Sequence, residues 1–518
     1  MQLRLADPLI GLAAIGDLGR GREPGQAART CFIACRLAHA LDAGDATVRE
    51  VFYAALLQHV GCVAHAHDTA VLDGGRTIEV NAAVDETDFS RPMDVINAFL
   101  VELSEGAGPL ARLRLVPPAR RMASVAARTS CEVAESTARR IGLPAGVQVA
   151  LRHMNEWYNG KGGFLGVKGD DIPLTARIVL AAFCASIFLT VAGPEAALDA
   201  VRSRAGRSLD PVVADACGRH GAAILAELAE ADVLRCLPAE EPQPGLSVSD
   251  EDLDGITVAF GEAVDLKAPF THGSAGRAFE LAGKAASALG LEPAAVAVAR
   301  RAAALRDIGK AAVPNAVVEK QAALTELDWE PLRLHAYHSE RVLSRSPSLA
   351  EEAKVAGLHH ERDDGTGYHR GLAGSSVPIS ARIVTATDEL VAMTQPRPQR
   401  PALALDEACR ELEADAREGR LNPEAVGAVL AAAHGVTARI RRPAPAGLSE
   451  RQVEVLRLLA QGLSNRQIAE RLVVSPRTAE HHVQDIYVKI GVSSRAAAAL
   501  FAIEHALLPW VAGGPLSR

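Results

Sequence analysis

The feature that most constrains this chain is that it repeats itself. Lys168-Gly169-Asp170-Asp171-Ile172-Pro173-Leu174-Thr175-Ala176-Arg177-Ile178-Val179 returns as Ala373-Gly374-Ser375-Ser376-Val377-Pro378-Ile379-Ser380-Ala381-Arg382-Ile383-Val384. Pro173, Ala176, Arg177, Ile178 and Val179 match Pro378, Ala381, Arg382, Ile383 and Val384 at one constant separation, which Gly160, Gly162 and Gly166 also keep from Gly365, Gly367 and Gly371. Chance is a poor explanation, and the N-terminal region reads as a second, more eroded copy of the middle region.

The 518 residues are enough for about three domains. Only 4% are aromatic and 48% are hydrophobic, with alanine-rich amphipathic runs dominating, which predicts an all-α fold with filled cores. Two proline-rich segments read as linkers, Leu237-Pro238-Ala239-Glu240-Glu241-Pro242-Gln243-Pro244-Gly245 and Arg442-Pro443-Ala444-Pro445-Ala446-Gly447. They divide the chain into helical domains expected at 1–236 and 253–440 and a C-terminal module at 448–518. The eight cysteines show no CxxC pair or zinc-finger spacing, and no leader pattern opens the chain, so a cytoplasmic protein with reduced thiols is expected. The longest apolar run, Ile178 to Gly193, is shorter than the ~20 residues of a membrane helix and reads as a buried core helix, with no membrane partner.

The C-terminal module carries its own punctuation. Ser449-Glu450-Arg451-Gln452 and Ser464-Asn465-Arg466-Gln467 are capping boxes, Gly462 is placed to end the first helix, and Ser475-Pro476 supplies an N-cap followed by proline at the first helical position. Val483, Ile486 and Ile490 are expected inside, leaving Arg477, Glu480, His481, Gln484 and Lys489 on the opposite face. From Leu-Ser-Glu-Arg-Gln through Gly-Leu-Ser-Asn-Arg-Gln-Ile-Ala to Leu-Val-Val-Ser-Pro-Arg-Thr-Ala-Glu-His-His-Val, the segment resembles the LuxR-type helix-turn-helix family. The resemblance implies a four-helix domain that binds double-stranded DNA, with Glu480, His481 and Gln484 facing bases and Arg477, Thr478, His482 and Lys489 nearer phosphates. It also implies that the last helix, Ser494 to His505, pairs two copies into a homodimer; the plainer reading makes Ala496 to Leu500 an alanine-rich core stretch.

Charge tempers the DNA reading. Arg451, Arg457, Arg466, Arg471, Arg477, Lys489 and Arg495 are nearly balanced by Glu450, Glu454, Glu470, Glu480, Asp485 and Glu504, and the whole chain carries a net charge of -8. Electrostatic affinity is therefore expected to be modest and local, with Arg439, Arg441 and Arg442 either adding phosphate contacts or forming a solvated linker.

The middle region contains Arg306-Asp307-Ile308-Gly309-Lys310, His335, His359-His360-Glu361-Arg362-Asp363-Asp364-Gly365-Thr366-Gly367-Tyr368 and Asp388. Over about Val258 to Gly435 it resembles the HD-GYP family of helical, metal-dependent phosphohydrolases. That resemblance implies metal ligands at Asp307, His335, His359, His360 and Asp388, with Lys310 neutralising a phosphate oxygen. Imidazoles and carboxylates suit such cations, and paired metals stabilise both the entering and the leaving oxygen. The pattern is broken where it matters. The name-giving histidine is Arg306, which cannot be deprotonated to coordinate a metal. Ser274 stands where an upstream ligand histidine is expected, with His272 displaced by two residues, and His369 replaces the proline of the GYP triplet. Arg306 is thus expected to replace a lost cation by pairing with Asp307 or Asp388. A single-metal remnant on His335, His359, His360 and Asp388 stays open, so the cofactor is either none or a divalent metal, Fe or Mn.

In the N-terminal copy the ligand positions are gone. Leu56-Leu57-Gln58-His59-Val60-Gly61-Cys62 stands at the His-Asp segment, Met154-Asn155 at the paired histidines and Phe183 at the metal-binding aspartate. His59, His65, His67 and His153 read as core or surface histidines, and this copy as packing partner, dimer surface or sensor. The chain is expected to be a DNA-binding transcriptional regulator with a largely non-catalytic sensory or dimerising body that takes a small-molecule or protein ligand. The alternative is a metal-dependent phosphohydrolase, such as a cyclic dinucleotide phosphodiesterase, coupled to DNA binding.

Overall fold

The computed structural model describes residues 3–73, 76–88, 90–91, 94, 109–435, 445–505 and 507–508. Arg439, Arg441 and Arg442 lie outside them. The fold is all-α apart from one two-residue strand pair among the described residues. The chain divides into two compact units, residues 1–252 with 345–348, and residues 253–344 with 349–518.

The first unit contains β1 (Leu3–Arg4), α1 (Gln26–Ala40), α2 (Asp45–Leu57), α3 (Pro109–Arg140), α4 (Leu174–Ala192) and β2 (Ser247–Val248). Helix α4 packs on α1 and α2. Phe32, Ile33 and Leu37 of α1, Val51, Phe52 and Leu56 of α2, and Ile178, Val179 and Ile187 of α4 are buried. At 19 residues α4 is longer than the apolar run suggested and, by length and composition alone, long enough to cross a membrane; 56% of it lies buried within the fold.

The first proline-rich segment is not a solvated linker. Leu237 is fully buried, and Glu241, 1% exposed, accepts hydrogen bonds from the Tyr53 hydroxyl (2.5 Å), Arg4 Nε (2.6 Å) and the Leu246 amide (2.9 Å). Beyond it, β2 pairs antiparallel with β1, Leu3 opposite Val248. Pro and Glu composition indicates solvent exposure only where the charge stays in water; here the carboxylate is buried with three donors.

The second unit opens with α5 (Asp250–Asp265), α6 (Ser274–Ala288) and α7 (Pro293–Leu305), followed by α8 (Glu326–Leu343), α9 (Ala350–Ala356), α10 (Ile379–Met393) and α11 (Pro423–Gly435). Helices α6 and α7 pack on each other and on α10, and α8 packs on the turn at Ile308–Ala312 and on α9. A reciprocal capping box between Thr325 and Asp328 starts α8.

The C-terminal module contains α12 (Glu450–Ala460), α13 (Asn465–Leu472), α14 (Pro476–Ile490) and α15 (Arg495–Glu504). Both serine-glutamine capping boxes form, and the Ser475 hydroxyl accepts from the Thr478 amide. Gly491 ends α14 in the left-handed conformation, φ 70°. Ala496 to Leu500 are buried and α15 packs on α12, so this stretch is core within one chain. Ile490, expected inside, is only partly covered.

The two copies share a frame that extends beyond the sequence repeat. Asp17 accepts from the amides of Gly25 (2.7 Å) and Ala27 (3.0 Å), and Asp265 accepts from that of Ala275 (2.8 Å) at the equivalent turn. A Cβ on Gly61 would lie 2.3 Å from the Ser130 carbonyl oxygen, and one on Gly309 2.0 Å from that of His335, so each turn needs glycine to reach its helix. Glu156 accepts from the Phe164 and Leu165 amides and Glu361 from those of Arg370 and Leu372, closing the same loop. The spacing between copies shortens beyond one segment, Cys62 to Ser130, which is longer than its counterpart Lys310 to His335.

Candidate functional site

Four elements of the second unit converge on one buried cluster. The turn after α7 supplies Arg306, Asp307 and Lys310, α8 supplies His335, the segment after α9 supplies His359 and His360, and α10 supplies Asp388. Ser339, one helical turn beyond His335, fixes the first element: its hydroxyl donates to the Arg306 carbonyl (2.6 Å) and accepts from the Gly309 amide (2.9 Å). Sequence reasoning passed over Ser339, whose role comes only from the turn packed against it.

Arg306 is 1% exposed and spends its guanidinium on three acceptors: Asp388 Oδ1 at 2.6 Å, Ser274 Oγ at 2.8 Å and the Ala303 carbonyl at 2.7 Å. Asp307 Oδ2 lies 3.5 Å from it. The cation therefore sits between Asp388 and Ser274. The displaced His272 points elsewhere, its Nδ1 donating to the Ala460 carbonyl at 2.5 Å. Burial opposes the charge of Asp388, but Arg306 overcomes it and holds the carboxyl below its ordinary range.

Beside this pair, Asp307, His335, His359 and His360 offer ligand atoms that all lie within 4.8 Å of one another. This corrects the expected single-centre set: Asp307 completes it, whereas Asp388 is taken by Arg306, its other oxygen 4.0 Å from His360 Nε2. His335 Nδ1 faces the Leu332 carbonyl and His359 Nδ1 faces that of Ala356 (2.7 Å). A carbonyl only accepts, so each Nδ1 carries a proton, and each ring turns its Nε2, the remaining ligand atom, inward. Those two Nε2 atoms are 3.1 Å apart, and 3.3 and 3.6 Å from Asp307 Oδ1. Burial lowers the pKa of His335 below its ordinary value, and burial with the neighbouring rings lowers that of His360 further. Asp307 Oδ1 is buried without a hydrogen-bond partner, while Oδ2 meets Lys310 Nζ at 2.8 Å. Against the cost of burial, Lys310 and Arg306 keep this carboxyl ionised, well below its ordinary pKa. Inward ring nitrogens around an orphaned carboxylate oxygen fit a divalent cation.

In the first unit the equivalent positions bring no such set together. His59 packs edge-on to Phe183, ring centroids 4.6 Å apart, and burial holds its pKa well below the ordinary value. Cys62 stands at the place of Lys310, its sulfur 3.5 Å from His59 Nδ1 and 3.3 Å from Arg20 Nη1.

On the C-terminal module, α14 buries Ala479, Val483 and Ile486 and exposes Arg477, Thr478, Glu480, His481 and Gln484, with His482 partly covered. His481 Nδ1 lies 3.0 Å from Asp485 Oδ2. Lys489, expected nearer phosphates, is engaged inside the module: its ammonium donates to the Gly447 carbonyl (3.0 Å) and Gln452 Oε1 (2.8 Å), tying α14 to the start of α12.

Known proteins resemble both the helical body and the C-terminal module. Residues 259–425 match the HD domain family, and residues 446–502 match the bacterial regulatory proteins of the luxR family. The 3'3'-cGAMP-specific phosphodiesterase 3 of Vibrio cholerae is 29% identical over 440 residues, covering 82% of this chain and 94% of that protein. A cyclic di-GMP phosphodiesterase of Thermotoga maritima is 38% identical over 175 residues, 33% of this chain and 47% of the relative. A crystal structure of a cyclic GMP-AMP specific phosphodiesterase of V. cholerae superposes with a TM-score of 0.58 at 26% identity, covering 85% of this chain and 99% of the other. The chain thus joins an HD domain, related to HD-GYP phosphodiesterases, to a C-terminal DNA-binding domain of the luxR family.

Proposed function

We propose that the chain is a transcriptional regulator whose HD body binds a cyclic dinucleotide without turning it over and shifts the population of a DNA-competent dimer. One observation supports this reading: the buried guanidinium of Arg306, held by Asp388 and Ser274, stands where the HD-GYP pattern has its name-giving histidine. That guanidinium, already spent on Asp388, Ser274 and the Ala303 carbonyl, has no lone pair or open coordination position with which to generate a hydroxide. Lys310, next to Asp307, adds a second fixed positive charge. A divalent metal held by Asp307, His335, His359 and His360 would supply Lewis acidity toward a phosphate oxygen. That same cluster favours the second reading, a phosphohydrolase working with one metal. The ligand class is taken from relatives that act on 3'3'-cGAMP and cyclic di-GMP. Glu480, His481 and Gln484 are assigned to base edges, and Arg477, Thr478 and His482 to phosphates.

The test is a hydrolysis and binding assay on the full chain with 3'3'-cGAMP and cyclic di-GMP, supplied with manganese or ferrous iron. The wild type is expected to bind one of them and release no linear product, with DNA affinity changing in its presence. Turnover by the wild type at rates that depend on Asp307 overturns the sensor reading in favour of the enzyme.

A further inference from the structure

Helix α8 turns His335, Ala336, Ser339, Val342 and Leu343 inward, and its outer face is unusual. Leu327 is 81% exposed, Leu334 41% and Tyr337 40%, so three large apolar side chains stand uncovered along one helix. Leu327, Glu330, Leu334, Tyr337 and Arg341 recur at alternating spacings of three and four residues, and all are exposed. That is the spacing of a coiled-coil seam, presented to solvent. Glu330 and Arg341 have no ion-pair partner among the described residues, although other charges on the helix do: Arg333 pairs with Glu326 at 3.3 Å.

Charge selects what covers such a seam. Two copies of α8 side by side and parallel would set Glu330 against Glu330 and Arg341 against Arg341. Antiparallel about a two-fold axis between Leu334 and Tyr337, each Leu334 meets the other copy's Tyr337 and each Glu330 meets the other copy's Arg341. The contact is then self-complementary, as an isologous interface must be, with an apolar centre flanked by two ion pairs. We infer that the outer face of α8 is the surface on which a second copy of this chain docks, antiparallel, through Leu334, Tyr337 and the Glu330–Arg341 pairs. The inference rests on the proposed regulator reading only for its purpose, since two DNA-binding modules of near-neutral charge gain affinity by acting together. It also places the dimer seam on the reverse side of the helix that carries His335, so a shift of α8 at the buried cluster is felt at the seam.

The test uses the full chain and charge reversal at exposed positions, which leaves the core intact. Sedimentation equilibrium is expected to show a dimer weakened about tenfold or more by Glu330→Arg or by Arg341→Glu, and restored by the two together. In a Cys236→Ser background, which removes the exposed native thiol, Leu334→Cys with Tyr337→Cys is expected to form an intermolecular disulfide on mild oxidation, while Glu330→Cys alone does not. A monomeric wild type, single reversals within twofold of it, failure of the double reversal to restore the dimer, or cross-linking through Glu330→Cys alone each overturn the inference. Failure of the regulator reading shows differently: a chain that cross-links through Leu334→Cys and Tyr337→Cys and binds no DNA supports the seam and removes its purpose.

Discussion

The N-terminal and middle copies differ almost entirely in what fills the centre and hardly at all in what holds it. Asp17 and Asp265, Gly61 and Gly309, and Glu156 and Glu361 hold equivalent turns and loops in place. At the centre, Asp307, Lys310, His359, His360 and Asp388 stand where the first copy has His59, Cys62, Met154, Asn155 and Phe183. An aromatic pair of His59 and Phe183 stands at the positions that Asp307 and Asp388 take in the second copy. The helical frame thus persists when the ligand-type residues are exchanged for an aromatic pair and a cysteine, with the Arg20 guanidinium 5.8 Å over the Phe183 ring. The second copy differs on both counts: Arg306 is paired with Asp388, and Asp307, His335, His359 and His360 gather beside that pair.

The comparison breaks most sharply at Arg306. Arg306→Ala leaves Asp388 and Asp307 buried beside each other and is expected to destabilise its unit by about 3–5 kcal/mol in urea unfolding. Gln58→Ala, at the equivalent place in the first copy, is expected to cost about 1 kcal/mol, since its amide makes one bond, to the Ala55 carbonyl. Equal costs would mean that the first centre is also electrostatically organised. Next come the loop glutamates. Glu361→Ala and Glu156→Ala each strip a carboxylate from two backbone amides and are expected to cost about 1.5–3 kcal/mol, similar in both copies. A large loss in one copy alone would show that the shared frame is not shared energetically.

Metal content separates the centres. His359→Ala is expected to lower metal affinity about tenfold or more in equilibrium dialysis, and Asn155→Ala to leave it unchanged. Metal lost on Asn155→Ala would place a site in the first copy. The smallest effect is in pH. Burial raises Asp17 to about 6 and Asp265 to about 7, against backbone hydrogen bonds that lower them. A carboxyl raised on folding stabilises fully below its unfolded pKa and loses that contribution as pH climbs to its folded value. Of the two, Asp265 titrates the more between pH 6 and 7, so Asp265→Asn is expected to flatten the stability slope there by up to about 1.4 kcal/mol per pH unit. Asp17→Asn is expected to act below pH 6. The reverse order would invert the burial of the two turns.

Much of the candidate site was legible because its residues announce themselves by type and spacing. Asp307, His335, His359 and His360 are brought together, and the replacement of histidine by Arg306 pointed to a pair with Asp307 or Asp388, of which Asp388 is the nearer at 2.6 Å. The serine-glutamine capping boxes were equally legible, since a cap needs only residues three positions apart. Ser339 was not, because a serine on a helix gains its role only from the turn packed against it. The segment 237–245 misled for the same reason: the burial of Glu241 depends on Tyr53 and Arg4, far away in the chain.

By itself the sequence determined the repeat, the helical class, the DNA-binding family of the C-terminal module and the different residue types at the centre of the first copy. All of these depend on residue identity and short-range periodicity. Only the tertiary structure decided that Arg306 takes Asp388 and leaves Asp307 to the histidines, and that Lys489 is spent on Gly447 and Gln452. It also decided that Ala496 to Leu500 serve one chain's core while Leu334 and Tyr337 are left outside. Partner choice among charges and the burial of apolar side chains are settled by which elements meet, and local sequence carries no record of that.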